Sequence, residues 1–377
     1  MIPLSTRLPR WLSAALFILA LSAAFWRAPA PAAPAFIPPQ PAASSPLAAS
    51  FATDVLPRVA EWADAASLVQ LPDGRLAAAW VAANAADTEA ATIWFSTQGK
   101  DGWSKPRPIA DRASTAGGTF AHVRRIGAPV LYSEGSWLHL WYVGLGMGGE
   151  ATGALHHSFS TDAGQSWMKP SRLQTSPFAN ISTLAHASPL PLADGGLGLP
   201  MHHQFISQHG EWLRLSPTGQ ILDKVRLPLE TSARQPAVIA LDAQRALALL
   251  RDAGAEPGKI QLATTDNGGL SWQAGTALPL ANPNSAIALL RLKSGRLLLA
   301  GNPAIGREAL LLWLSADAGQ TWQTSRTVEA ATDGGADFTD PVLLQARDGR
   351  IHLVYTWRQQ RIKHAVFSEA WLDGGQP

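Results

Sequence analysis

The chain has 377 residues, 46% hydrophobic and 15% charged, with 30 basic against 28 acidic side chains and no cysteine. Near-balanced charge without a Lys/Arg cluster argues against a nucleic-acid partner. The lack of cysteine excludes a disulfide scaffold, a Cys-ligated zinc or iron–sulfur centre, and thiol catalysis. Each of the 15 tryptophans needs a large packing site and an acceptor for its indole N–H, so they point to repeated packing units or to a ligand-stacking surface.

At the N-terminus, Arg7 and Arg10 precede an apolar run from Trp11 to Trp26, which Arg27 closes. The run falls short of the roughly 20 residues a spanning helix needs. It suits a signal-peptide core or an uncleaved anchor, and both readings stay open. The basic flank keeps this end in the cytoplasm and sends the body outward. The expected location is therefore exported: periplasmic, or tethered through residues 11–26 to the inner membrane and facing the periplasm. Residues 28–50 are mostly Ala, Pro and Ser, a composition that reads as an extended linker. The expected division is thus 1–27 signal or anchor, 28–50 linker and 51–377 folded body.

The body is repetitive. A short apolar run, a tight polar turn and a second apolar run recur six times, as in ASLVQLPDGRLAAAWV (66–81) and DPVLLQARDGRIHLVYTW (340–357). The turns centre near Asp73, Glu134, Asp194, Asp242, Ser294 and Asp348. Asp-Gly or Ser-Gly between two β-runs signals a hairpin, because glycine takes the positive φ the turn requires. A second pattern lies between hairpins: Ser160-x-Asp162-x-Gly164-x-x-Trp167, Ser315-x-Asp317-x-Gly319-x-x-Trp322 and, with Asn for Asp, Thr265-x-Asn267-x-Gly269-x-x-Trp272. Ser96 to Trp103 keeps only the spacing. Each is a turn whose Asp accepts backbone N–H bonds and whose Trp pins the turn to its own blade. Two hairpins per unit of about 50–60 residues make a four-stranded sheet, and six such sheets predict an all-β, six-bladed propeller. The last unit runs short, so residues 51–58 are expected to supply its missing strand.

These turns are Asp boxes, and their alternation with six hairpins resembles the sialidase (neuraminidase) superfamily over roughly residues 60–368. The segments Asn282-Pro283-Asn284-Ser285, Asp340-Pro341-Val342-Leu343-Leu344-Gln345, Tyr355-Thr356-Trp357-Arg358 and Arg361-Ile362-Lys363-His364 are similar to a bacterial and plant sialidase-like branch with BNR repeats. The resemblance implies a six-bladed propeller and an exo-α-sialidase-like glycosidase.

Hairpin geometry then selects residues. The turns lie on one propeller face, and the starts of first strands and ends of second strands lie on the other, where such propellers bind ligands. Before the first strands stand Asp64, Arg124, Arg125, His186, Arg234, Asn282, Asn284 and Asp340. After the second strands stand His202, His203, Arg251, Asp252, Asn302, Trp357 and Arg358. The resemblance implies three arginines holding a substrate carboxylate, a task suited to bidentate, permanently charged donors. Arg251 matches one of them, Arg358 is a second candidate, and Arg124, Arg125 and Arg234 compete for the third. His202, His203, Asn282 and Asn284 are candidate substrate contacts. Adjacent strand residues point to opposite faces, so His202 and His203 do not chelate one ion together; no metal site and no cofactor are expected.

The chain departs from the family pattern in two places. The first-blade arginine motif is absent, with only Leu56-Pro57-Arg58-Val59 near its place. The stretch that reads Tyr-Ser-Asp-Leu in the family is Phe338-Thr339-Asp340-Pro341 here, and phenylalanine has no hydroxyl to act as nucleophile. Tyr355 remains a candidate nucleophile, although its place inside a strand equally suits the core. Asp64 is the candidate acid/base, with Glu61, Asp87 and Glu89 as alternatives, and Asp340 is the second carboxylate. Two carboxyls about 6.5–9.5 Å apart support an inverting route without any tyrosine. The expected activity is hydrolysis of an acidic, sialic-acid-like glycan. The alternative is a catalytically silent propeller that binds glycan or an envelope partner protein.

Overall fold

The computed structural model describes residues 10–27, 33–39, 47–175, 182–229, 232–254, 258–303 and 306–374. Arg7 and linker residues 28–32 and 40–46 lie outside them. The chain divides into two units, Met1–Ala33 and Pro34–Pro377. The first contains one helix, Arg10–Arg27. Among the described residues, no helix is long and apolar enough to cross a membrane.

The second unit is a six-bladed propeller. Alternating apolar side chains bury both faces of each sheet against its neighbours, which is why the inner hairpins read as near-continuous hydrophobic runs. The inner hairpins are Trp62–Gln70 with Leu76–Ala83 in blade 1, Arg125–Glu134 with Trp137–Gly146 in blade 2, and Leu190–Pro191 with Leu197–Gln204 in blade 3. Blades 4, 5 and 6 follow with Ala233–Ala240 and Ala246–Asp252, Ala288–Arg291 and Leu297–Gly301, and Phe338–Gln345 and Ile351–Trp357. The innermost strand of blade 1 packs on those of blades 2 and 6, and blades 4, 5 and 6 adjoin in the same way. As the short last unit required, Phe51–Val55 completes blade 6 by pairing with Arg361–Phe367, in the register Phe51↔Phe367 to Val55↔Lys363. Phe51 stacks on Trp371 of the C-terminal helix at 4.5 Å, which fastens the closing strand.

The Asp boxes are turns whose acids are consumed locally. Asp162 accepts from the Ser166 backbone and from the Ser160 and Ser166 hydroxyls, and Asp317 repeats this with Thr321 and Ser315. Trp167 and Trp322 donate their indole N–H to the glycine carbonyls of their own turns, both at 3.1 Å. The packing partner differs from expectation: each box leans on the preceding blade. Trp167 meets Phe95 of blade 1 edge-on at 5.7 Å, and Trp272 meets Trp212 of blade 3 at the same distance. A Cβ added to Gly164 would approach Phe95 to 2.5 Å, so the glycine serves close inter-blade contact as well as its φ of 84°. Trp167 and Trp272 are therefore mortar between blades.

A stretch read as linker is partly built into the propeller. Phe36 is 2% exposed and packs on Trp212 at 5.9 Å. Backbone bonds from Phe36 to Ala243, from Ile37 to Pro191 and from Ala193 to Ala35 strap residues 35–37 across the hairpin turns of blades 3 and 4. One aromatic with a preformed hydrophobic slot is enough to dock a segment whose composition cannot form a core of its own.

Candidate active site

The face opposite the turns is organised by bulges in the inner strands. Pairing registers shift at Asp64/Ala66 in blade 1, Ile126/Pro129 in blade 2, Arg234/Ala237 in blade 4 and Thr339/Val342 in blade 6. At three of these the backbone enters the left-handed region, at Ala65 (φ 46°), Gln235 (φ 53°) and Asp340 (φ 50°), and Asn284 in blade 5 does the same (φ 51°). Such a conformation costs a non-glycine residue about 1–2 kcal/mol. Bulges re-aim side chains at the end of a sheet, and here they sit where chemistry-bearing residues cluster.

Asp64 is held across the closure between first and last blades. Its Oδ1 accepts the Thr356 hydroxyl at 2.9 Å, and the Thr356 oxygen accepts the Ala65 N–H at 3.1 Å. The side chain keeps partial exposure, yet the dense protein around it disfavours the charge. Burial first, then the nearby Asp340 carboxylate, push Asp64 up to about 7. Asp340 lies 3.4 Å from His186 Nε2. Burial holds His186 below its ordinary value, and Arg251 adds to this while Asp340 opposes it. Below, His186 lines an apolar cavity of about 180 Å³ between inner strands, with Ile239, Ile287 and Val342.

Three arginines converge on Asn284. Arg251 donates to its carbonyl at 3.1 Å, Arg307 to the same carbonyl at 3.2 Å, and Arg234 to its side-chain oxygen at 3.5 Å. Burial, followed by the charge of Arg234, brings Arg251 down to about 9; Asp340 works against this and Arg307 adds to it. Burial also lowers Arg234, with Glu150 opposing. The Nε atoms of Arg234 and Arg251 are buried without a protein partner. Packed guanidiniums with donors to spare can take an anion, and their planar forks suit a carboxylate.

The other candidates are placed as follows. His202 is buried against the same group, and burial, then His186 and the arginines, hold it well below its ordinary value. His203 points the other way and stacks on His209 at 4.8 Å. Asn282 is fully buried and clamps the Ser285 backbone through both side-chain atoms, while Asn302 accepts from the Ser285 hydroxyl and donates to the Ala309 and Phe338 carbonyls. Both are scaffold for the Asn284 turn. Arg124 forms a bidentate pair with Glu89 at 2.9 and 2.7 Å, and Arg125 faces Glu150 at 3.8 Å. Arg358 stacks on Trp357 at 5.0 Å and pairs with Asp333. Tyr355 is fully buried in the blade 5–6 core, where its hydroxyl donates to Glu329 at 2.6 Å and Lys363 pairs with the same carboxylate. Burial and that carboxylate push the phenol far above its ordinary value.

The structure thus brings together Asp64, Asp340, Arg234, Arg251 and Asn284, with His186 and His202. It adds Arg307, which the hairpin rule does not reach because it precedes a third strand. It also adds Asp337, 3.8 Å from Arg307, and Thr356, the penultimate residue of Ile351–Trp357.

A closed ring of six blades, with Asp-box turns on one face and packed arginines on the other, defines a β-propeller of the Asp-box type. Residues 74–353 match the family model described as BNR repeat-like domain, and the chain belongs to that family. No curated protein matches the chain. Among solved structures, a Dyadobacter fermentans protein of unknown function aligns with TM-score 0.68 and 15% identity, over 84% of this chain and 97% of that one. The intramolecular trans-sialidase from Ruminococcus gnavus, in complex with oseltamivir carboxylate, aligns with TM-score 0.63 and 14% identity over 84% and 96%. Trypanosoma rangeli sialidase, in complex with the inhibitor DANA, gives 0.66 and 11% over 82% of this chain but 55% of its own. At these identities the likeness is one of fold.

Proposed function

We propose that the axial site cleaves a glycosidic bond of an acidic, sialic-acid-like glycan. Arg234, Arg251 and Arg307 hold the sugar carboxylate. Asp64, protonated near neutral pH, gives its proton to the leaving oxygen, and Asp340, oriented beside His186, activates water. The convergence of three arginines on Asn284 near a carboxyl raised to about 7 carries this reading. An inverting route needs no tyrosine, which accords with Tyr355 being locked against Glu329 and with Phe338 in the family's tyrosine position. The basic flank of the N-terminal apolar run supports export, so the glycan would be met outside the cytoplasm.

The test is release of the fluorophore from a fluorogenic sialoside and related acidic glycosides by the wild type, Asp64→Asn and Arg251→Ala. Turnover that both substitutions abolish supports the reading; turnover that survives Arg251→Ala breaks it. The buried Tyr355 also favours a second reading, a silent propeller that binds the same glycan. It is distinguished by saturable, Arg251-dependent binding without turnover.

A further inference from the structure

We propose that blade 3 carries a zinc-class metal site formed by His203, His209 and Glu211, on the opposite side of its sheet from His202. Strand alternation builds it. His209 and Glu211 are two apart on Gln208–Leu215 and share a face, and His203 on Leu197–Gln204 lies directly opposite His209. Met201 and Leu213 continue the same face into the core shared with Trp141 and Leu155 of blade 2, which floors the site with apolar side chains.

One ligand atom from each of the three residues lies within 4.8 Å of the others. Tetrahedral zinc bound at about 2.0–2.1 Å sets its ligands about 3.3 Å apart, so side-chain rotation closes the remainder. The His209 Nε2 to Glu211 Oε1 separation is already 3.4 Å. Ser207 contacts His209 Nδ1 at 3.1 Å and fixes the ring with Nε2 toward the carboxylate, the outer-shell bond a metal-binding histidine needs. Independently, Glu211 is 6% exposed and its Oε2 is buried without a protein partner. Two imidazoles and one carboxylate are a known zinc donor set with a fourth position open. Lys224, whose Nζ is 3.2 Å from Glu211 Oε1, competes with the metal for the same charge.

The experiment titrates tag-free protein with Co2+, read by visible absorption, and with Zn2+, read by calorimetry. One equivalent is expected to bind, with the intense visible band of a four-coordinate Co2+ site. His203→Ala, a change at a partly exposed position, is expected to weaken binding at least 30-fold while leaving the metal-free melting temperature unchanged. Lys224→Met is expected to tighten binding. No saturable binding at one equivalent, or His203→Ala and Glu211→Gln variants that bind like the wild type, would overturn the proposal.

Discussion

Replacing Asp64 by Asn should stabilise the protein above neutral pH and leave it nearly unchanged in acid. The folded carboxyl is raised from its ordinary 3.8 to about 7. Between these values the folded state keeps a proton that the unfolded state has lost, so stability falls as pH rises through this window. At about 1.36 kcal/mol per pH unit the full loss is a little over 4 kcal/mol. Part of the rise comes from Asp340 and the side chain is partly exposed, so a gain of about 2–3 kcal/mol is expected for Asp64→Asn at pH 8. The Asn side-chain oxygen still accepts the Thr356 hydroxyl, so the blade 1–6 contact survives. Urea unfolding of both proteins at pH 4, 6 and 8 measures the gap, which should be near zero at pH 4 and largest at pH 8. A variant no more stable than wild type at pH 8, or a gap independent of pH, would refute the raised pKa. The same substitution removes the proposed proton donor and should lower turnover by about 10²–10⁴-fold.

Three other outcomes are expected. Arg307→Ala, at a side chain 37% exposed, should leave the melting temperature intact but weaken acidic-glycan binding about 10–100-fold, which titration calorimetry reads. The buried, hydrogen-bonded rings of His352 and His364 are both lowered to about 4, chiefly by burial. Their neutral forms support the fold above about pH 6.5, and this support, up to about 3 kcal/mol per ring, is lost as pH falls toward 4. A double His352→Phe, His364→Leu variant should flatten the acid limb of melting temperature against pH. Phe36→Ala should cost about 3–5 kcal/mol in denaturant unfolding by emptying the slot beside Trp212, whereas a free linker residue would cost nothing measurable.

The fold was legible because its punctuation is local. An Asp-Gly turn or an Asp box is set by a few adjacent residues, and the short final unit demanded a strand from the N-terminal side. That Asp64, Asp340, Arg234 and Arg251 meet at one end of the propeller was legible because hairpin ends opposite the turns share a face. The bulges that aim three of them were not, since a bulge records a mismatch between two strands and leaves no mark on either. Arg307 entered from the third strand of its blade, beyond any rule drawn from inner hairpins. Arg124 and Arg358 occupy the right end of their strands, but ion pairs with Glu89 and Asp333 engage them, and such pairing depends on loops whose course local sequence does not set. Phe36 escaped notice because proline and alanine surround it, and its slot is made by residues far along the chain.

The arginine clamp is tested most directly by comparing a sialic acid with its methyl ester in titration calorimetry against wild type and Arg251→Ala. The free acid should bind wild type, while the ester and the variant each lose most of the affinity, and the two losses should not add because they remove the same contact. Equal binding of acid and ester, or additive losses, would contradict a carboxylate held by Arg234, Arg251 and Arg307.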